Sequence, residues 1–298
     1  MRLRAAILLL LVGCGGASSV VAPPPPPVTR PVGVPVFGRN DYIEYIPGDL
    51  AVVISVPHGG ALTPAAIPDR TVGTTVTDAN TIDLGRAVAA ALLARTGRTP
   101  HLIISHLKRT KLDPTREVVE GAAGSAAAIT AWGEFQAFID TATRAAVAQR
   151  GFAVYIDLHG HGHPIARLEL GYLLPAATLA LGDQALGAGQ LAASSLRALP
   201  PLQRPFAEIL RGDSSFGGLL AVRGFPAVPS PTMPSPGGDP YFDGGYNTSR
   251  HTGEGVVGLQ IEANYAGVRD SDASRRAFAA ALADAVDRWV QLHVRMAW

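Results

Sequence analysis

Short runs of apolar residues recur along the chain and predict the strands of a buried sheet. Each run has about the length of a typical strand and is rich in Val, Ile or Leu, which is typical of strands covered on both faces. The runs are residues 50–56, 101–105, 152–158, 168–174 and 256–261. We expect the fourth run to be the neighbour of the third in the sheet.

Helical patterns fill most of the sequence between these runs. Residues 78–95 place Ile82 and Leu92 on one stripe, and Gly97 follows as a stop signal. Further helices are predicted at residues 126–149, 185–199 and 278–293, and long loops at the Pro- and Gly-rich residues 200–250. Apolar runs that alternate with helices predict one α/β domain over residues 41–298.

The N-terminus has the layout of an export signal. Two arginines precede the apolar residues 5–12, which are too few to span a bilayer. Residues 11–14, Leu-Val-Gly-Cys, are similar to the lipobox of bacterial lipoproteins, in which the cysteine becomes the lipidated first residue. We therefore predict a signal peptide over residues 1–13 and a lipidated Cys14; the alternative is an ordinary signal peptide with an incidental cysteine.

The residues after Cys14 predict an extended tether. Gly, Ser and Ala come first, and five consecutive prolines occupy residues 23–27. Proline-rich chains adopt a stiff, extended conformation. We expect a tether over residues 14–40 that holds the domain on the extracytoplasmic side of a bacterial cell envelope, anchored to a membrane by lipid.

Composition narrows the chemistry of any binding site. The sequence has 25 basic and 24 acidic residues, and its net charge of +1 becomes −1 if two arginines leave with the signal peptide. The basic residues are scattered, so no surface for nucleic acid is indicated. Because Cys14 is the only cysteine, a disulfide within the chain is excluded, and a metal would have to bind to His, Asp or Glu.

Three polar residues lie where predicted strands end. His58, His159 and Glu262 each come just after an apolar run. Ligands of open α/β sheets bind outside the carboxyl ends of strands, so these three segments are expected to converge on one site. Neutral imidazoles are good zinc ligands, and hydrolytic zinc sites combine three protein ligands with one position for water. Either histidine taken alone could instead be structural.

A carboxylate is needed to complete such a metal site. Asp78 is our candidate, although it could instead cap the helix that is predicted to begin there. Asp83 is a weaker alternative. Asp157, two residues before His159, could accept a hydrogen bond that fixes the tautomer of this histidine, or could cap the strand end.

The residues after His159 add further candidates. His161 and His163 alternate with glycine, which predicts a loop, and we expect contacts with substrate at the rim rather than metal binding. Glu169 and Tyr172 could line the site, or could be a paired glutamate and a core tyrosine.

Four segments of the sequence carry a family resemblance. They are residues 55–60 (SVPHGG), 108–117 (KRTKLDPTRE), 157–160 (DLHG) and 259–262 (LQIE). In this order they resemble the motifs of the N-formylglutamate amidohydrolase family, a relative of the zinc carboxypeptidases. The resemblance covers nearly all of residues 45–290. It implies a three-layer α/β/α sandwich around a mixed sheet of about eight strands, with one zinc ion per chain.

The resemblance also implies roles for individual residues. His58 and His159 match the two metal histidines of the family. Arg116 matches the arginine that receives a substrate carboxylate, and Glu262 matches the catalytic glutamate. The carboxypeptidase pattern His-x-x-Glu has Ala61 in place of its glutamate here, so the acidic ligand must come from elsewhere in the chain.

Two arginines suit an anionic substrate. The planar guanidinium groups of Arg109 and Arg116 match a carboxylate through two parallel hydrogen bonds, which predicts a small anionic acyl-amino-acid or peptide substrate. They could instead pair with Asp113 and Glu117 in a loop. The family commonly has asparagine at the position of Thr115.

These features favour a metal-dependent hydrolase that cleaves the amide bond of an N-acyl, N-formyl-like amino acid or small peptide. Glu262 would act as the general base on a water activated by zinc. One alternative is a carboxypeptidase or a peptidoglycan-directed amidase, which the expected location favours. Another is a non-catalytic cell-surface binding protein with the same fold, which the glutamate missing at Ala61 suggests.

Overall fold

The computed structural model describes residues 31–295 and Trp298, built around a sheet of eight strands. The strands are β1 (Val36–Phe37), β2 (Ile43–Ile46), β3 (Val52–Val56), β4 (His101–Ser105), β5 (Ala153–Gly160), β6 (Leu168–Gly171), β7 (Ala227–Val228) and β8 (Val256–Ala263). Their order across the sheet is β1-β2-β4-β3-β5-β8-β6-β7.

The centre of this sheet is parallel, and the strand on each side of this centre is antiparallel to it. Strands β4, β3, β5 and β8 run in one direction, whereas β2 is antiparallel to β4 and β6 is antiparallel to β8. The mixed sheet of eight strands is thus confirmed. The carboxyl ends of β3, β5 and β8 lie side by side, and this edge carries His58, His159 and Glu262.

Helices cover both faces of the sheet. They are α1 (Thr81–Thr96), α2 (Val118–Ala122), α3 (Ala126–Arg150), α4 (Ala176–Leu179), α5 (Ala188–Ala193), α6 (Phe206–Arg211), α7 (Phe216–Ala221), α8 (Tyr246–His251) and α9 (Asp272–His293). Helices α1 and α9 pack together over one face, and α3 covers the other. The predicted three-layer α/β/α sandwich is confirmed.

Strand β3 shows why the apolar runs of the sequence are continuous. Val52 and Ile54 lie in the core formed with α1 and α9, whereas Val53 lies in the core formed with α3. Successive side chains of a strand point to opposite faces, so a strand covered on both sides is apolar at most of its successive positions. Each such buried side chain stabilises the fold by about 1.5–3 kcal/mol.

The long helices begin or end next to residues that are typical of helix termini. Helix α3 begins after Ser125, whose side chain accepts a hydrogen bond from the main-chain N–H of Ala128. Gly151 and Gly97 follow α3 and α1 with φ of 72° and 70°, the left-handed region that favours glycine at a helix end. Both ends therefore lie within one residue or two of the predicted ones.

Three predictions about the strands, helices and loops are wrong. Residues 168–174 contain β6, which pairs with β8 rather than with β5, because β8 lies between them. Residues 185–199 contain only the short α5, since the Ser195 hydroxyl donates to the Gly258 carbonyl at 2.6 Å and ties this segment to β8. The residues expected to form long loops, 200–250, include α6, α7, α8 and β7.

The N-terminal boundary of the domain lies before Asp41. Strand β1 pairs with β2, and the N–H of Gly33 donates to the carbonyl of Pro47 at 2.8 Å. Gly33, Val36 and Phe37 have main-chain N–H groups, which proline lacks and which an edge strand needs for pairing. The last residues of the predicted tether therefore belong to the packed domain. The signal peptide, Cys14 and the polyproline run lie outside the described residues. Within the described range, no helix is long and apolar enough to cross a membrane.

A buried histidine on β4 predicts how stability depends on pH. The N–H of Gly48 donates to Nδ1 of His101 at 3.0 Å. Burial lowers the pKa of His101 from 6.5 to about 4, against the opposing charge of Asp49. As pH falls from 6.5 to 4 the unfolded chain takes up a proton that the folded chain excludes. We expect this histidine to cost about 3 kcal/mol of the free energy of unfolding over that range.

Denaturant unfolding of the wild type and His101→Gln at pH 7, 5.5 and 4 measures this effect. The stability of the wild type should fall more steeply with acidification than that of the variant. Parallel pH profiles would show that His101 contributes nothing to the pH dependence.

Candidate active site

His58 follows β3 and is held by Asp113. Its Nε2–H donates to Oδ1 of Asp113 at 2.8 Å, which leaves the lone pair on Nδ1. Nδ1 is buried, has no hydrogen-bond partner among the described residues, and lies 3.4 Å from Oδ2 of Asp78. An imidazole fixed in this way presents a bare nitrogen to its carboxylate neighbour.

His159 on β5 repeats this arrangement. Its Nε2–H donates to Oδ2 of Asp157 at 2.9 Å, as the sequence predicts, and its Nδ1 lies 3.5 Å from Oδ2 of Asp78. Burial opposes a positive charge here, but Asp157 together with Asp78 and Glu262 beside Nδ1 raises the pKa of His159 well above its usual value. The surroundings of Nδ1 therefore favour a bound positive charge.

Asp78 lies between the two histidines and does not cap α1. Asn80, with φ of 65°, turns the chain before the helix begins, so the Asp78 side chain points to the sheet edge, where the N–H of Gly160 donates to Oδ2 at 3.1 Å. Burial would raise the pKa of Asp78, but the imidazoles of His159 and His58 hold it well below its usual range. The alternative candidate, Asp83, is exposed on α1.

These three residues fit a metal ion. One ligand atom from each of His58, Asp78 and His159 lies within 4.8 Å of the others, and all three residues are buried. The bare Nδ1 of His58 is an orphaned polar atom that a cation would satisfy. Two imidazoles and one carboxylate are the ligand set of many hydrolytic zinc sites. Asp78 is thus the buried carboxylate that could take the place of the glutamate missing at Ala61.

Asp113 is the site residue that the sequence did not assign. Besides His58, it accepts hydrogen bonds from the Thr115 hydroxyl at 2.6 Å and from Nε of Arg109 at 3.1 Å. Burial would raise the pKa of Asp113, but His58 and Arg109 hold it well below its usual range. A charged carboxylate that orients a ligand histidine typically strengthens metal binding. Asp157 could be recognised because it lies two residues before His159. Asp113 could not, because 55 positions separate it from His58.

Glu262 lies beside the three proposed ligands. It pairs with His159 in the β5–β8 register, and its Oε1 is 3.9 Å from Nδ1 of that residue. Nε2 of Gln260 donates to Oε1 at 2.8 Å. Burial raises the pKa of Glu262 to about 7, with Asp78 adding to the rise and His159 opposing it. A carboxyl group of this pKa can exchange a proton near neutral pH.

The two predicted substrate arginines lie in different surroundings. Arg109 pairs with Asp113, as the alternative interpretation had it, and its Nη1 lies 3.5 Å from Oδ1 of Asp78. Arg116 is 46% exposed, with Nε 3.8 Å from Oε1 of Glu120 rather than beside Glu117. Arg109 therefore belongs to the surroundings of Asp78 and Asp113, while the contact of Arg116 with a substrate carboxylate stays a prediction.

The expectation for His161 needs correction. This residue is buried, its Nε2–H donates to the Arg167 carbonyl at 2.8 Å, and its Nδ1 accepts from the N–H of His163 at 3.1 Å. Both ring nitrogens are used within one loop, so we assign His161 to holding that loop rather than to binding substrate. Tyr172 is buried in the core.

Fold and site together define an α/β/α sandwich with a candidate metal site, made of His58, Asp78 and His159, at the carboxyl edge of its parallel strands. No family model matches the sequence, and no curated protein matches it. Solved structures do. N-formylglutamate amidohydrolase from Ralstonia eutropha JMP134 has a TM-score of 0.54 and 15% identity, with 85% of this chain and 98% of that chain covered. This chain therefore has the fold that its motifs indicate.

Two more distant matches were found. A gene product of Agrobacterium tumefaciens has a TM-score of 0.47 and 11% identity, covering 84% of this chain and 95% of that chain. The N-acetylmuramyl-L-alanine amidase Ami1 from Mycobacterium smegmatis has a TM-score of 0.36 and 14% identity, covering 80% and 96%. The likeness of fold rests on the first structure alone.

Proposed function

We propose that this protein is a zinc-dependent hydrolase that cleaves the amide bond of an N-acyl amino acid or small peptide. The observation that carries the proposal is the convergence of two oriented imidazoles on Asp78, directly beside the buried Glu262. One zinc ion held by His58, Asp78 and His159 would supply a Lewis acid that polarises the amide carbonyl and acidifies the attacking water.

The chain's own residues would carry the remaining steps. Asp113 and Asp157 orient the two histidines and hold them in the tautomer that leaves Nδ1 bare. Glu262 accepts the proton of the attacking water, for which its burial and raised pKa suit it. Gln260 fixes the Glu262 carboxylate by donating to Oε1.

Activity assays with and without metal test this function. We expect the zinc-loaded protein to hydrolyse at least one of a panel of formyl, acetyl and peptidyl amino acids, to lose this activity with a chelator, and to regain it with zinc. Cleavage of peptidyl substrates alone would favour a carboxypeptidase or a peptidoglycan-directed amidase. An inactive, fully loaded protein would favour a non-catalytic binding protein.

Arg116 is proposed to receive the substrate carboxylate. Arg116→Lys keeps the positive charge but loses the fork that binds both carboxylate oxygens, so we expect KM to rise more than kcat falls. Steady-state kinetics on the best substrate measures both. Arg98→Lys is a matched control, because Arg98 is also partly exposed and pairs with a carboxylate, Asp49, near the opposite end of β4. Equal KM values for the wild type and Arg116→Lys would contradict the assignment.

The lipid anchor is a separate proposal that rests on the sequence of residues 11–14. We expect Cys14→Ser to prevent lipidation and to move the protein from the membrane fraction to the soluble fraction after cell breakage. Mass spectrometry of the wild type should find the lipid on Cys14. Equal membrane retention of the variant would contradict the anchor.

A further inference from the structure

Glu169 extends the row of polar residues at the sheet edge. It lies directly opposite Glu262 in the antiparallel β6–β8 register, and Glu262 in turn is the register partner of His159. Residues opposite one another on neighbouring strands project to the same face of a sheet. His159, Glu262 and Glu169 therefore stand side by side on one face.

The Glu169 carboxylate is fully used by its surroundings. It is 1% exposed, its Oε1 lies 2.8 Å from Nδ1 of His163, and its Oε2 accepts from the N–H of Phe242 at 2.8 Å. A carboxylate that accepts from Nδ1 fixes the orientation and the tautomer of the imidazole. Glu169 therefore orients His163 in the way that Asp157 orients His159. In His159 the carboxylate holds Nε2, whereas in His163 it holds Nδ1 and leaves Nε2 without a partner.

His163 is held on three sides and keeps one nitrogen available. Its ring stacks on Phe242 with centroids 4.7 Å apart and planes 10° from parallel, and its main-chain N–H donates to His161. The side chain is 23% exposed, and in the described part of the chain Nε2 makes no hydrogen bond. The result is a preorganised imidazole that is separated from Glu262 by a single carboxylate.

A second metal ion does not explain this cluster. His161, His163 and Glu169 have the donor types of a metal site and lie close enough together. Both ring nitrogens of His161, however, already bond to the main chain of their own loop. Among the described residues of this cluster, Nε2 of His163 is the one ligand atom without a hydrogen bond. A single such atom points to contact with a substrate rather than to a second metal ion.

We propose that His163 is a further catalytic residue of the hydrolase site, which in its doubly protonated form donates the Nε2 proton to the leaving amide nitrogen while Nδ1–H stays bonded to Glu169. The proposal rests on the proposed function. Water adds to the carbonyl carbon and gives one proton to Glu262. The C–N bond then breaks, and the nitrogen keeps the bonding electrons and takes the Nε2 proton. The second water proton stays on the new carboxyl group, and the proton on Glu262 returns to His163 through solvent.

A comparison of substrates with two different leaving groups distinguishes a proton-donating His163 from one that is only structural. An amine leaves only when its nitrogen is protonated, whereas a nitrophenolate leaves unaided. For amide and nitrophenyl ester substrates with the same acyl group, we expect His163→Gln to lower kcat on the amide about 10²-fold or more and to spare the ester. His163→Phe, which can still stack on Phe242, should behave alike.

His106→Gln is the matched control. His106 bonds to Oε2 of Glu44 at 2.8 Å and is 24% exposed, so it resembles His163 in partner and exposure, but its partner lies on β2, which β4 and β3 separate from β5. It should leave both reactions unchanged, and Glu262→Gln should slow both.

Two results would overturn the role of His163: equal losses on amide and ester in His163→Gln, or unchanged turnover of the amide. Both would leave the proposed hydrolase function standing, because the wild type would still cleave its substrates. A zinc-loaded wild type that cleaves neither substrate would overturn both proposals together.

Discussion

Glu262→Gln is expected to lower turnover about 10²–10⁴-fold while the protein keeps its metal. Glutamine has the shape of glutamate and still forms hydrogen bonds, but it cannot accept a proton from water. Glu262 is buried, and Gln260 already holds one of its oxygens, so the variant should fold like the wild type. Steady-state kinetics and elemental analysis of the same preparation measure both quantities.

Metal retention in this variant follows from the geometry. Oε1 of Glu262 lies 3.9 Å from Nδ1 of His159, whereas Oδ2 of Asp78 approaches the Nδ1 atoms of both histidines within 3.5 Å. Asp78 is therefore the proposed third ligand. Glu44→Gln is a control for the same chemical change at a buried glutamate on the outer strand β2, and it should leave turnover unchanged.

Two outcomes would change the assignment of Glu262. Turnover equal to that of the wild type would remove it as the general base. Loss of zinc in Glu262→Gln would make it a ligand and leave Asp78 without that role.

His159→Ala should lower the affinity for zinc by about an order of magnitude or more, because the protein loses an oriented ligand and the site opens to water. His58→Ala should have a similar effect, since the two imidazoles stand in equivalent positions around Asp78. Zinc titration against a competing chelator measures the change. Full zinc retention in both variants would refute the metal site.

The carboxylates behind the histidines provide a second, graded test of the same site. Asp113→Asn and Asp157→Asn keep the ligands but weaken the hydrogen bonds that orient them, so each should lower zinc affinity about 10–100-fold. Similar losses in the two variants would support equivalent roles for His58 and His159. An effect at Asp157 alone would indicate that His58 does not bind the metal.

The central strands could be predicted from the sequence because both of their faces are covered. Strands β3, β4, β5 and β8 are largely apolar on both faces for that reason. The two-residue strands β1 and β7 pair through a few main-chain hydrogen bonds, which leave no pattern of side chains. The position of β8 between β5 and β6 depends on pairing between distant parts of the chain, and periodicity does not report such pairing.

The site was predictable to the extent that it depends on strand ends. The carboxyl edge of a parallel sheet brings together His58, His159 and Glu262 from three separate segments. Asp78 could not be separated from a helix cap by sequence, since the left-handed turn at Asn80 decides where its side chain points. The sequence suggests only Arg109 as a partner of Asp113. The contact of Asp113 with His58 joins two loops that are distant in sequence, so no local pattern reports it.

Anomalous X-ray diffraction at the zinc absorption edge, on crystals grown with zinc, tests the metal centre most directly. We predict one strong peak per chain, bounded by Nδ1 of His58, Nδ1 of His159 and the carboxylate of Asp78. A zinc peak at His161, His163 and Glu169 instead, or no ordered zinc at His58, Asp78 and His159, would contradict the account.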